Sequence, residues 1–209
     1  MRVLCAAICL LLTLTTATGS TEQETVTVRP RNPLADVPKE FHFLFGSGIG
    51  SNQLAATWAA LPYDSISLER DTCLGTCPAY KVTLFRGRPK DTDKESYEDR
   101  FGRAELTVTK AGSGSHYRKK FPEERGQFDG RIDIWTFGRL SYLIRKSGFD
   151  ALQSRYLADW TDAPSTTVTV SGPTGGKSVY DYSGVGPIEL WGIQEALDSA
   201  ARSINWSRK

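Results

Sequence analysis

The stretch ISLERDTCLGTCPAYKVTLF (Ile66–Phe85) contains two strand patterns separated by a pair of cysteines. Apolar and polar residues alternate on either side of the pair, and this alternation is typical of half-buried strands. The alternating apolar residues are Ile66, Leu68, Tyr80, Val82 and Leu84. The stretch therefore predicts two strands, with Cys73 and Cys77 in the segment between them.

Two helices are predicted in the C-terminal half of the chain. The first runs from about Ile132 to Ser147, where apolar residues recur at helical spacing, and Gly148 suits the left-handed position that follows a last turn. Pro187 is placed in the first turn of the second helix, where proline is tolerated. The apolar face of this second helix consists of Leu190, Ile193, Leu197, Ala200 and Ile204.

Strand patterns precede each of these helices. Strands are predicted at 97–108 and 116–121, on either side of the turn KAGSGS, and TTVTV (166–170) and SVYDY (178–182) form a predicted hairpin. Strands followed by a helix, twice over, predict an α+β domain at about 64–206. We expect an antiparallel sheet that is covered on one face by the two helices.

Residues 20–62 form a predicted N-terminal extension. It contains a proline-rich linker, the glycine-rich turn GSGIGS and a short helix with Leu54, Trp58 and Leu61 along one side. The chain has 209 residues, of which 39% are hydrophobic and 24% charged, and these values suit one globular domain with an attached segment. The formal net charge of +2 argues against a nucleic-acid partner, because phosphate contacts need a clear basic excess.

The N-terminus has the order of a secretory signal peptide. Arg2 supplies a positive charge, an apolar run of about twelve residues follows, and TTATGS provides small residues for cleavage near Gly19. The run is too short for a membrane span, which needs ~20 residues. The sequence thus predicts that residues 1–19 are removed and that the mature protein is periplasmic or extracellular, without a stable membrane span.

Cleavage there would leave Cys73 and Cys77 as the only cysteines. In an oxidising compartment an even number of cysteines favours one disulfide, here closing a tight loop before the strand of Tyr80. A metal site is the first alternative, but it needs further ligands, for which His42 and His116 are the candidates. A redox couple is the second alternative, and it needs an activated thiolate. The disulfide is the favoured prediction.

No catalytic residues and no cofactor are predicted. The turn GSGIGS lacks the residues of a nucleotide-binding loop, and the acidic run DTDKES lacks the glycine and the final glutamate of a calcium loop. The motifs G-x-S-x-G and H-E-x-x-H are absent from the sequence. The sequence therefore predicts a non-catalytic binding or structural module with no identified partner. A thiol-based copper-binding or redox protein is the alternative.

Several motifs follow one another in an order that resembles a known family. They are I-x-L-E-R-x-x-C-x-G-x-C-P-x-Y (Ile66–Tyr80), a helix ending in Gly-Phe, T-D-x-P (Thr161–Pro164), a hairpin and a last helix closing on Trp206. The family is an uncharacterised bacterial one, domain of unknown function 6438, and the resemblance covers about residues 64–206. It implies a bacterial exported protein and gives no activity. Its motif positions, which carry no assigned roles, are Cys73, Gly75, Cys77, Pro78, Tyr80 and Asp162.

A second, local resemblance concerns C-x3-C-P alone. Exported copper chaperones of the thioredoxin fold carry this spacing between a strand and a helix, with a distant histidine as third ligand. Here the motif leads into the strand of Tyr80, and the βαβ pattern of that fold is missing. The likeness therefore does not extend beyond these few residues.

Overall fold

The computed structural model describes residues 34–46, 49–50, 53–88, 97–111, 121–122 and 124–209. The α-helices are α1 (Leu54–Ala60), α2 (Ile134–Lys146) and α3 (Ile188–Ser203). The strands are β1 (Ser65–Arg70), β2 (Ala79–Phe85), β3 (Phe101–Lys110), β4 (Gly126–Asp133), β5 (Arg155–Tyr156), β6 (Ser165–Gly172), β7 (Gly175–Tyr182) and β8 (Ser207–Arg208). Short 3-10 helices lie at Lys39–Leu44, Tyr97–Arg100 and Phe149–Ala151. None of the described helices combines the length and the apolar character needed to cross a bilayer.

The described strands form one sheet in the order β5-β7-β6-β1-β2-β3-β4-β8. Neighbouring strands run antiparallel, except that β5 and β7 are parallel. β1 lies near the centre, where Leu68 is opposite Val82 of β2 on one side and Val168 of β6 on the other. The prediction of a mixed α and β fold with a mostly antiparallel sheet is confirmed.

The hydrophobic core forms between alternate strand positions and the two long helices. Ile66 and Leu68 of β1 are buried in it, whereas Glu69, the next residue, is exposed. α2 and α3 contact each other, and they contact β4 and β1 respectively. Leu197, in the middle of the predicted apolar face of α3, is fully buried.

Part of the predicted N-terminal extension belongs to this same core. Phe41, Leu54, Trp58 and Leu61 are buried members of it. The indole N–H of Trp58 also donates to the backbone carbonyl of Asp99 at 2.8 Å. Burying these four side chains removes a large apolar area from water, which stabilises the folded state. The segment around α1 is therefore a structural part of the domain.

β4 is a strand that was not predicted from the sequence, in the segment before the first long helix. Gly126–Asp133 pair with β3 over the whole strand, with Phe128 opposite Leu106. Gly130 interrupts the apolar alternation, because a side chain at this position would collide with Ile204. The missing side chain and the surrounding charges hide the strand pattern in the sequence.

The helix that follows begins at Ile134, and not near Ile132 as predicted. The side chain of Asp133 accepts a hydrogen bond from the backbone N–H of Thr136 at 2.9 Å and caps the first turn. At the other end, Gly148 has a φ of 66°, so it adopts the predicted left-handed conformation. The predicted end of α2 is thus correct, and its start is corrected by two residues.

The remaining strand predictions differ in their outcome. β2 and the hairpin of β6 and β7 lie where they were expected. The strand expected at 97–108 begins with a 3-10 turn and becomes extended only at Phe101. The predicted signal peptide (1–19), most of the predicted strand 116–121 and the acidic run at 91–96 lie outside the described residues.

Candidate functional site at the cysteine end of the sheet

Three connecting segments meet at one end of the sheet, because four strands end or begin there. β1 ends at Arg70, which is opposite Tyr80 of β2 and Thr166 of β6. Ser165 of β6 is in turn opposite Tyr182 of β7. The segments are 71–78, 157–164 and 183–187, which are named here the cysteine end.

Cys73 and Cys77 form the predicted disulfide in the first of these segments, with their Cα atoms 5.6 Å apart. Thr72, Leu74 and Thr76 around them are exposed. Closing so short a loop removes little entropy from the unfolded chain, so it contributes only ~2 kcal/mol to stability. The disulfide therefore shapes an exposed loop more than it stabilises the domain.

A β-bulge follows directly after the disulfide loop. Ala79 is opposite Lys110, but Tyr80 is opposite Val108, so Thr109 is an extra residue on β3. Such bulges bend a strand and change the direction of the side chains next to them. Here the bulge places Lys110 against the disulfide loop.

Lys110 and the loop backbone surround Cys73 with hydrogen-bond donors. The ammonium of Lys110 donates to the carbonyl of Gly75 at 2.7 Å and to that of Cys73 at 3.4 Å. The backbone N–H of Gly75 donates to the Sγ of Cys73 at 3.3 Å. The positive charge and the N–H group make this side of the loop favourable for a negative charge.

A buried ion pair fixes the two strand ends that flank the loop. Asp198 of α3 is only 5% exposed. One of its oxygens accepts from the Nε of Arg70 at 2.9 Å and from the Nη2 at 2.5 Å, and the other accepts from the hydroxyl of Tyr80. Arg70 also donates to the hydroxyl of Thr166 at 3.1 Å. β1, β2 and α3 are thereby joined at one carboxylate, and β6 is joined to them through Arg70.

The pKa values of Tyr80 and Arg70 in this network are both raised. Burial raises the pKa of the Tyr80 hydroxyl above its usual range, and the neighbouring Asp198 raises it further. Burial lowers the pKa of Arg70, but the hydrogen bond to Asp198 and its negative charge outweigh this, so the pKa lies above its ordinary value. Both groups therefore remain donors at physiological pH. They are suited to hold the loop in place and not to transfer protons.

A small cleft of about 240 Å³ opens beside the disulfide. Cys77 and Pro78 line it from the first segment, Pro164 lines it from the end of the second segment, and Ser165 lines it from the start of β6. Arg70 forms part of its wall. Cys77 of the disulfide thus lies at a cleft between the first and second segments.

Exposed apolar side chains are concentrated at the same end of the molecule. Of the seven large exposed apolar residues in the described part of the chain, only Phe45 lies elsewhere. The other six, named here the apolar rim, are Leu74, Leu157, Trp160, Val185, Ile188 and Trp191. Ile188 and Trp191 lie in the first turn of α3, directly after the third segment. The indole N–H of Trp160 donates to the hydroxyl of Ser183 at 2.8 Å, which links the second segment to the third.

The motif positions predicted from the sequence converge on this end. Pro78 lines the cleft and Tyr80 anchors β2 to α3. Asp162 lies in the second segment with a φ of 66°, a left-handed conformation that Asp tolerates better than most residues. Gly75 does not have a positive φ, so its place in the loop does not depend on a left-handed backbone.

Among the described residues, His42 is not brought together with the two cysteines as a metal site. The Nε2 of His42 is hydrogen-bonded to the carbonyl of Val37 at 2.8 Å, within the N-terminal 3-10 region. His116 lies outside the described residues. In the part of the chain that the structure describes, no group of three or more His, Cys, Asp or Glu side chains could hold a metal ion.

Several residues of this site, among them Lys110, have no role that the sequence predicts. Arg70 is part of the quoted motif, which gives it no role, and Asp198 lies beside the apolar face of α3. A charged residue next to the buried stripe of a helix is a signal for a buried ion pair, but its partner is 128 positions away. Trp160 and Trp191 carry no pattern at all, because exposure of a single tryptophan depends on the packing around it.

Known proteins give one point of comparison. No curated protein and no solved structure is significantly similar to the chain. The model of one family matches residues 100–201, which run from the start of β3 into α3 and include Asp198, Trp160 and Trp191. The disulfide loop precedes the matched residues. Over residues 100–201 the chain matches the family described as a domain of unknown function (DUF6438), and this is the family that the sequence was said to resemble.

Proposed function

We propose that the protein is an exported binding module that binds a partner protein through the apolar rim. The observation that carries the proposal is the concentration of exposed apolar side chains in the segments of the cysteine end and in the first turn of α3, which follows directly. Ile188 is 70% exposed and Trp191 is 53% exposed, although both lie on an ordered helix. Exposed apolar patches of this kind mark interaction surfaces on proteins that are otherwise polar outside.

The composition of the rim favours a protein partner. Trp160 and Trp191 supply large apolar areas with few rotatable bonds, and tryptophan is enriched among the residues that dominate binding energies. Exposed polar residues such as Glu189 and Asp162 accompany these side chains, and polar residues typically surround the apolar centre of an interface. A buried aromatic centre with a polar surround is the usual arrangement of a protein–protein contact.

The framework behind the rim supports binding without large rearrangement. The disulfide restricts the loop that carries Leu74. The ion pair of Arg70 with Asp198 ties that loop to α3, which carries Ile188 and Trp191. A surface that is ordered before binding loses less conformational entropy on binding, which raises affinity.

The proposal includes the export and architecture expected from the sequence. The order of charged, apolar and small residues at 1–19 supports cleavage and release to the periplasm or the medium. The contacts of α2 and α3 with each other and with the sheet support an α+β arrangement in which both helices lie on one face. The cysteine end of that sheet is then accessible to a partner.

The test compares three forms of the mature protein. Immobilised wild type, the double variant Trp160→Ala/Trp191→Ala and the control Phe45→Ala are exposed to extracts of the native cell envelope, and bound proteins are identified, purified and titrated back. We expect one partner that binds wild type and Phe45→Ala equally and the double variant at least tenfold more weakly, since each tryptophan can contribute about 2 kcal/mol. Equal binding by all three forms, or no partner, would contradict the proposal.

A further inference from the structure

We propose that the Cys73–Cys77 disulfide is a reactive group that exchanges with the dithiol of a partner protein. Cys77 is the sulfur that is attacked, and Cys73 is the sulfur that leaves. This assignment goes beyond the binding function, because it gives the loop a chemical step of its own. It does not require the apolar rim.

The loop is anchored without the disulfide. At its start, the backbone N–H of Asp71 donates to the carbonyl of Ser165 at 2.9 Å. At the two strand ends, Arg70 and Tyr80 both bind Asp198. A covalent link across so short a loop constrains the unfolded chain only slightly. The disulfide therefore contributes little to the stability of the fold, and its reactivity is the property that we consider.

Cys77 lies beside an open cleft, and this cleft offers a thiolate a route to the disulfide. Cys77 lines the 240 Å³ cleft, whereas Cys73 does not belong to its lining. Leu74 is 81% exposed, so the loop projects from the surface of the domain. Which sulfur is attacked in thiol–disulfide exchange depends on access. The cleft thus selects Cys77.

Cys73 is placed to leave as a thiolate. Its Sγ accepts a hydrogen bond from the N–H of Gly75, and the ammonium of Lys110 binds the carbonyls of residues 73 and 75. Hydrogen-bond donors and cations stabilise a thiolate, and a more stable thiolate is the better leaving group. Asp71, which also lines the cleft, carries a negative charge there. Its carboxylate accepts a hydrogen bond from the backbone N–H of Thr72 at 2.7 Å.

The exchange has two steps, and two electrons pass from the partner to this protein. In the first step a partner thiolate attacks the Sγ of Cys77, a bond forms between the two proteins, and the Cys73–Cys77 bond breaks with Cys73 leaving as thiolate. In the second step the other thiolate of the partner attacks its own sulfur in the mixed disulfide, and Cys77 leaves. The partner dithiol is oxidised to a disulfide, Cys73 and Cys77 are reduced, and the protons released by the partner thiols pass through solvent to the new thiolates.

The first experiment asks whether the fold activates the disulfide. The full-length mature protein and an oxidised synthetic peptide of residues 70–80 are reduced by dithiothreitol at neutral pH, and free thiols are alkylated and counted by mass spectrometry over time. The peptide is a matched control because it holds the same disulfide without Lys110 and the cleft. We expect the folded protein to react at least ~3-fold faster. An equal or lower rate would show a structural staple and would overturn the proposal.

The second experiment asks which sulfur is attacked. Reduced glutathione is the probe, the reaction is stopped by alkylation, and the adducts are located by peptide mass spectrometry. We expect glutathione on Cys77 and the alkyl group on Cys73, and the reverse pattern would contradict the assignment. Lys110→Met should slow the reaction roughly 3-fold, while Lys146→Met on the exposed end of α2 should leave it unchanged. Trp160→Ala/Trp191→Ala should react like wild type, and a loss of rate in that variant would show that exchange depends on the apolar rim and would overturn its independence.

Discussion

Asp198→Ala is expected to lower the free energy of unfolding by about 3–5 kcal/mol, because it removes the buried anion of Arg70. Among the described residues, the guanidinium then keeps only the anion of Glu195, whose carboxylate is 3.5 Å away and whose side chain is 46% exposed. In the folded protein two nitrogens of Arg70 and the hydroxyl of Tyr80 all donate to the carboxylate of Asp198. The side chains of Arg70 and Asp198 are 23% and 6% exposed, so water replaces few of the lost hydrogen bonds. Urea denaturation followed by circular dichroism measures the change.

The effect of Tyr80→Phe on stability is expected to depend on whether Asp198 is present. Tyr80→Phe in the wild-type background removes one hydrogen bond to a charged group and should cost about 1.5–3 kcal/mol. In the Asp198→Ala background the Tyr80 hydroxyl is already buried without its acceptor, so Tyr80→Phe should be neutral or stabilising. The double-mutant cycle therefore yields a clear coupling energy between the two side chains.

An exposed ion pair on the neighbouring strands provides the control. Glu69 and Lys81 are 3.1 Å apart, and each side chain is 53% exposed. Glu69→Ala should cost less than ~1 kcal/mol, as is usual for surface pairs. If Asp198→Ala costs no more than Glu69→Ala, or if Tyr80→Phe costs the same in both backgrounds, the network does not hold the cysteine end in the way described here.

Further predictions concern the core, the disulfide, the pH dependence and the N-terminus. Leu197→Ala should cost ~2–5 kcal/mol in urea melts, because the side chain is fully buried; a shift of a few tenths would mean that this face of α3 is exposed. Cys73→Ser with Cys77→Ser should cost no more than ~2 kcal/mol and leave the fold intact by circular dichroism, and unfolding of the variant would contradict this. Burial raises the pKa of Tyr63 to about 12, whereas an unfolded tyrosine titrates near 10. The unfolded state therefore ionises first, so this stabilisation is complete below about pH 10 and is lost as the pH rises from there to about 12; between pH 9 and 11, wild type should lose more stability than Tyr63→Phe, and equal losses would refute the shift. Intact mass of protein recovered from the periplasm or medium should lack residues 1–19, and an unprocessed chain in the membrane fraction would show an anchor instead.

Local patterns were sufficient to predict most of the sheet and both long helices. β2, the β6–β7 hairpin and the end of α2 at Gly148 follow from alternation, turn residues and helix spacing, all of which act over a few neighbouring positions. β4 could not be predicted in this way. Its glycine at position 130 is required by contact with Ile204, which is distant in the sequence, and the gap that this leaves in the alternation conceals the strand.

The candidate site was predictable only at its cysteines. The spacing of Cys73 and Cys77 and the predicted export were enough to predict their disulfide. The partner of Arg70 is 128 positions away on α3, and the position of Lys110 depends on a bulge in the β2–β3 pairing. Such long-range features arise from the assembled sheet, and no local pattern in the sequence encodes them.

Photo-crosslinking in the native compartment tests the central claim, that the cysteine end is the binding surface. A photoreactive phenylalanine analogue is introduced singly at Leu74, at Trp191 and at Phe45, which is as exposed as Trp191 but lies away from the rim. After irradiation of intact cells, adducts are resolved by mass. The account predicts one common partner crosslinked from positions 74 and 191 and none from position 45. A crosslink from position 45 alone, or no adduct from the two rim positions, would contradict it.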